Sequence, residues 1–146
     1  PGNATAETSL VSLAGVSINE GTILANGPAG SSFTLAITGT TVNGTFEPGY
    51  AFNAGLIQAD AGNTLTITVG GTSELMNTGT VLADGGTVRI LAGSSVIADG
   101  VAPVRGFYEI AGGGTLETNA ACGSRYSGCC AVSPRKSFPA SPVNFK

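Results

Sequence analysis

An eight-residue pattern returns along this chain, and self-similarity at roughly 20 to 50 residues restricts a fold to stacked or arrayed copies of one unit. Asn19-Glu20-Gly21-Thr22-Ile23-Leu24-Ala25-Asn26 matches Asn53-Ala54-Gly55-Leu56-Ile57-Gln58-Ala59-Asp60 and Asn77-Thr78-Gly79-Thr80-Val81-Leu82-Ala83-Asp84. The shared form is Asn-x-Gly-x-(Ile/Val)-x-Ala-(Asn/Asp), and a decayed copy, Val96-Ile97-Ala98-Asp99, keeps its second half. A second motif follows each copy: Thr34-Leu35-Ala36-Ile37, Thr64-Leu65-Thr66-Ile67, Thr87-Val88-Arg89-Ile90 and Thr115-Leu116-Glu117-Thr118. The first motif recurs at intervals of 34 and 24 residues, the second at 30, 23 and 28, so the unit is elastic. Fixed strands joined by turns of variable length give such a pattern.

Within each motif apolar and polar residues alternate with period two, as in Leu65-Thr66-Ile67-Thr68-Val69, which predicts strands with one inward face. Gly, Asn and Asp bracket them at Asn26-Gly27, Asp60-Ala61-Gly62, Asp84-Gly85-Gly86 and Asp99-Gly100, where the backbone must turn sharply. Hairpins in a sandwich and parallel stacked coils both fit the alternation. The repeat favours stacking, because like residues then lie about 4.8 Å apart in ladders, with Asn19, Asn53 and Asn77 joining amide to amide. The expected fold is all-β: a right-handed parallel β-helix, or β-solenoid, of about four to five coils over residues 1–119, followed by an irregular tail over 120–146. Four or five coils make about 20 to 25 Å of rod.

The run Asn-x-Gly-x-Ile-x-Ala followed by Gly-x-Thr-Leu-x-Ile resembles the β-strand repeats of filamentous-haemagglutinin-like exoproteins and autotransporter passengers, right-handed parallel β-helices exported by Gram-negative bacteria. The resemblance covers about residues 17–119. It implies a secreted, cell-surface location and a structural, adhesive shaft that presents loops to a host or cell-surface glycan or protein. It carries over no activity residues, because the repeats of that family are structural.

Charge narrows the partners. All nine acidic residues lie at or before Glu117, and Arg89 and Arg105 are the sole cations up to Asn119, so that segment carries −7. Two scattered cations do not neutralise a run of phosphates, which argues against nucleic acid and against anionic membranes. No apolar run approaches the roughly 20 residues of a membrane span. Without an initiator Met or a signal-peptide pattern at Leu10 to Val16, the sequence reads as a fragment of a longer exported protein.

Catalytic chemistry has little to stand on. The chain has no His, which removes imidazole triads and His metal sites. Polysaccharide lyases and hydrolases on β-helices need clustered carboxylates, yet no two acidic residues here are adjacent or two apart. Asp60, Asp84 and Asp99 read as turn residues; Asp60 stacked over Asp84 is at most a weak Ca²⁺ site. No catalytic, cofactor or metal residue is assigned, and the expectation is a non-enzyme. The alternative is a non-catalytic fragment of a β-helix polysaccharide lyase, hydrolase or phage tailspike. An ice- or surface-binding solenoid would need a flat Thr array, which Ala36 and Arg89 interrupt opposite Thr64, Thr66 and Thr68. Asn3-Ala4-Thr5 and Asn43-Gly44-Thr45 match a glycosylation acceptor and are given no role.

Two aromatic segments, residues 45–52 and 101–108, interrupt the repeat, and each carries a Pro. Phe46, Tyr50 and Tyr108, with Arg105, are the candidate ligand-binding residues, able to stack on a sugar or protein. The plainer reading makes these aromatics plugs where stacking is imperfect. After Asn119 the composition changes: Cys122, Cys129 and Cys130, then Pro134, Pro139 and Pro142 among four cations. This tail reads as disordered, a linker or the product of a reading-frame slip. Open edges of the coil stack predict self-association.

Overall fold

The structure, a computed structural model, describes residues 5–92 and 107–118. The decayed copy at 96–99, Arg105 and the region 120–146 lie outside the described residues. The chain runs through β1 (Thr8–Ala14), β2 (Val16–Asn19), β3 (Thr22–Ala25), β4 (Ser32–Thr38), β5 (Thr40–Val42), β6 (Thr45–Glu47), β7 (Tyr50–Asn53), β8 (Leu56–Asp60), β9 (Thr64–Val69), β10 (Glu74–Asn77), β11 (Thr80–Asp84), β12 (Thr87–Ala92), β13 (Phe107–Ala111) and β14 (Thr115–Thr118). No helix occurs among the described residues.

Apart from the β5–β6 hairpin, these strands form three sheets, ordered β1-β4-β9-β12-β14, β2-β7-β10 and β3-β8-β11-β13. Every neighbouring pair within the three is parallel. From β1 to β12 the chain visits the sheets in rotation, and each return lays a strand beside its predecessor. The fold is therefore all-β with parallel sheets, an arrangement compatible with a parallel β-helix. Copies of the repeat are not joined as hairpins.

Register follows the alternation. On the first sheet Leu35, Ile67 and Ile90 are matched across β4, β9 and β12, and Leu65 lies beside Val88 and Phe33. On the third, Ile57 matches Ile23 and Val81, and Ala59 matches Ala25 and Ala83. Leu65, Ile67, Ala59, Val81, Ala83 and Val88 are wholly buried, so the three inward faces meet in one core. Burying each such Val, Leu or Ile contributes about 1.5–3 kcal/mol.

One expected register is corrected. Thr34 pairs with Thr66, and Ser32 with Thr64, so the second motif's first interval is 32 residues, not 30. A two-residue slip keeps the same side chains inward, which is why alternation alone does not distinguish the two alignments. Asn19 matches Asn53 at an interval of 34, and Asn53 matches Asn77 at 24. Of those ten extra residues, two therefore lie in the link from β3 to β4 and eight in the link from β4 to β7, where the hairpin sits.

Glycine sets the corners. At the corner following each Asn, a Cβ on Gly79 would collide with the Gly55 carbonyl oxygen, and one on Gly55 with that of Gly21. The Asn-x-Gly element thus holds the backbones of successive copies in direct contact, an approach that only glycine permits.

Candidate functional site

Along the corner between the second and third sheets, the predicted asparagine ladder is present. Asn19 Nδ2 donates to Asn53 Oδ1 at 2.7 Å, and Asn53 Nδ2 to Asn77 Oδ1 at 2.8 Å. Each amide also donates to a backbone carbonyl of the following copy: Asn19 to Leu56 at 3.2 Å, Asn53 to Thr80 at 3.2 Å, Asn77 to Phe107 at 3.1 Å. Asn53 and Asn77 are buried, so the ladder satisfies polar groups that water does not reach. Its role is structural.

Of the four sequence-predicted ligand residues the structure describes three, and Tyr108 lies on a different sheet from Phe46 and Tyr50. Phe46 lies on β6 of the hairpin, whose turn is Asn43-Gly44, both with positive φ, and its side chain is 56% exposed. The Phe46 ring covers Gly39, where a Cβ would overlap it. Tyr50 begins β7, three residues after β6 ends; it is paired with Val16 and Glu74 and 37% exposed. Tyr108 is on the inward face of β13, matched to Val81 and packed against the core, where it fills the end of the third sheet's inner column. Arg105 is outside the described residues.

Around Tyr50 the outer face of the second sheet is largely apolar. Ile18, Phe52 and Met76 are matched in one row, and Val16, Tyr50 and Glu74 in the next. This surface carries no recurring motif, and only the outward positions of the strand alternation mark it. Reading the outward positions of β2, β7 and β10 finds it, and the Asn43-Gly44 dipeptide between alternating residues announces the hairpin. The first sheet's outer face differs: Thr8, Ser32, Thr64, Thr87 and Thr115 lie in one unbroken hydroxyl row. The neighbouring row, Leu10, Thr34, Thr66, Arg89 and Glu117, is mixed, so the hydroxyl array is one column wide over most of its length. Arg89 Nε and Glu117 Oε2 form an exposed ion pair at 2.8 Å in that row.

Polar groups inside are few. At the corner between third and first sheets, Asn63 Nδ2 donates to the Ala61 carbonyl at 3.3 Å, while its buried Oδ1 has no hydrogen-bond partner. Asp60 and Asp84 are register partners, and Gln58 Nε2 donates to Asp60 Oδ1. Among the described residues no three His, Cys, Asp or Glu side chains gather as a metal site would require, and no helix is long and apolar enough to cross a membrane. Comparison with protein-family models, with curated proteins and with solved structures returned no match.

Proposed function

We propose that this chain is a non-catalytic shaft segment of a secreted bacterial surface protein, built as a right-handed parallel β-helix of about four to five coils. The observation that carries the reading is the rotation of the chain through three sheets whose neighbouring strands are all parallel and in register. Parallel crossover connections are right-handed in nearly all proteins, which supports the handedness. Five strands in the first sheet, about 4.8 Å apart, give a prism about 20 Å tall, the geometry of a spacer that grows by repetition. Large inward columns, a ladder that serves only stacking, and outward faces of short polar or apolar rows fit a support more than a reaction vessel. Adhesion falls to the projecting elements, with the hairpin bearing Phe46 and the adjoining Tyr50 as the contact surface for a glycan or protein. Aromatic faces beside polar groups suit the apolar side of a sugar.

Antibodies raised against residues 5–118 test this on intact and permeabilised cells of the source organism. Labelling of intact cells, removed by external protease, is expected. Label confined to permeabilised cells sinks the surface assignment. Release of new reducing ends from polysaccharides incubated with the purified chain would replace the shaft with a hydrolase.

A further inference from the structure

The three sheets present unlike outer faces. Rows on the third mix apolar and polar residues, Thr22-Leu56-Thr80-Phe107 and Leu24-Gln58-Leu82-Glu109, and those on the first are rich in hydroxyls. On the second, five of the six outward residues are large and apolar: Val16 and Tyr50 in one row, and Ile18, Phe52 and Met76 in the other, with Glu74 the exception. The inward Ala51 and Leu75 are buried, whereas Tyr50 on the central strand is 37% exposed. From strand spacing and rise, the patch measures about 10 by 7 Å. A further strand beside β2 or β10 lengthens these rows without covering them, because outward side chains point away from the stacking direction. Acids border the patch. Glu74 stands in it, exposed Glu47 ends β6 three residues before Tyr50, and exposed Glu20 follows β2. The sole cation among the described residues, Arg89, lies on the first sheet, paired with Glu117.

We infer that the outer face of the second sheet docks a cationic amphipathic polypeptide, its apolar stripe on the Ile18–Phe52–Met76 row and its Lys or Arg side chains directed to Glu20, Glu47 and Glu74. Contiguous exposed apolar surface rimmed by polar residues marks a contact site. Uncompensated negative charge on the rim then selects the sign of the partner. The same rim repels an anionic glycan or an acidic peptide, and a second copy of this chain sets acid against acid. An amphipathic helix matches the dimensions, since a row of about 10 Å spans about two turns and the apolar residues of such a helix recur at every turn. Tyr50 belongs also to the contact surface proposed above. The docking face itself requires only the parallel three-sheet arrangement, so it is independent of where the protein resides.

Titration of the isotope-labelled full chain with a synthetic Leu–Lys peptide of amphipathic helical pattern, and with its Leu–Glu counterpart, tests the contact by NMR shifts and calorimetry. Ile18→Lys breaks the apolar row, the double variant Glu20→Lys/Glu47→Lys reverses the rim, and Leu10→Lys on the first sheet is the control. All four positions are exposed, so the variants keep the β-rich circular dichroism of the parent. The expected result is binding of the Lys peptide alone, with shifts centred on Ile18, Tyr50, Phe52 and Met76. Ile18→Lys and the double variant each weaken it at least tenfold, and Leu10→Lys leaves it unchanged. Equal binding of both peptides overturns the inference, as do shifts centred on another sheet or indifference to both test variants. Absence of binding overturns it too. In that event, faster maleimide labelling of Cys122, Cys129 and Cys130 in Ile18→Lys assigns the face to the chain's own segment 120–146, with its four cations, and loss of a dimer in sedimentation assigns it to a second copy. Antibody labelling of intact cells is untouched by any of these results, so the shaft reading is tested separately.

Discussion

Replacing Asn53 with Ala tests whether the amide ladder acts as a coupled unit. Asn53 sits mid-ladder at 1% exposure, accepting from Asn19 and donating to Asn77 Oδ1 and to the Thr80 carbonyl. The substitution leaves Asn77 Oδ1 wholly buried without its donor, at about 1–3 kcal/mol, and the other two bonds add about 0.5–1.5 kcal/mol between them after solvent compensation. The sum is about 2–4 kcal/mol. At about 4–8 °C per kcal/mol for a domain of this size, the midpoint falls by about 10–25 °C in calorimetry of the full chain. Asn19→Ala costs less, because its rung is partly exposed and its Oδ1 serves only Gly21. Adding Asn77→Ala to Asn53→Ala removes the orphaned acceptor, so the double variant loses about 1 kcal/mol less than the sum of the singles. Strict additivity, or a loss below about 0.5 kcal/mol for Asn53→Ala, would refute the ladder as a cooperative element.

Gly79→Ala, whose methyl group meets the Gly55 carbonyl, is expected to cost about 1–3 kcal/mol, while Gly21→Ala is near neutral; urea titration of both separates close packing from turn propensity. Ile67→Ala, at the centre of the Leu35–Ile67–Ile90 row, loses about 2–5 kcal/mol, whereas outward Thr66→Ala stays within about 0.5 kcal/mol. Arg89→Ala removes an ion pair whose side chains are 49% and 40% exposed, so its loss is below about 1 kcal/mol and shrinks further in high salt. Excising residues 40–47 shortens the link from β4 to β7 by the eight residues in which it exceeds the next; the β signature in circular dichroism is retained, and binding on a glycan array is lost.

Much of the fold was legible because two periods coincide in the sequence. The two-residue alternation assigned the inward side chains of β8, β9, β11 and β12, and the Asn-x-Gly recurrence predicted that Asn19, Asn53 and Asn77 stack. Both signals are local consequences of strand geometry, so they survive without knowledge of neighbours. The binding candidates were legible only as residue types. Tyr108 and Phe46 are both aromatics outside the recurring motifs, yet one faces the core and the other solvent, because Tyr108 continues the third sheet in register with Val81 while Phe46 lies on the β5–β6 hairpin.

The sequence by itself determined the strands of the two motifs, β3, β8 and β11 and β4, β9, β12 and β14, with their inward residues and the ladder, since each depends on side-chain alternation or on repetition of one residue at one position. β1 and β13 carry neither motif, and β2, β7 and β10 only the ladder Asn. Tertiary structure alone decided the register of β4 on β9, where a two-residue slip is silent in the pattern, and the division of the extra residues between two corners. The physical reason is that alternation records which side of a strand is buried, whereas pairing partners and edges are fixed by backbone hydrogen bonds between residues some 24 to 34 positions apart, which leave no mark on neighbouring side chains.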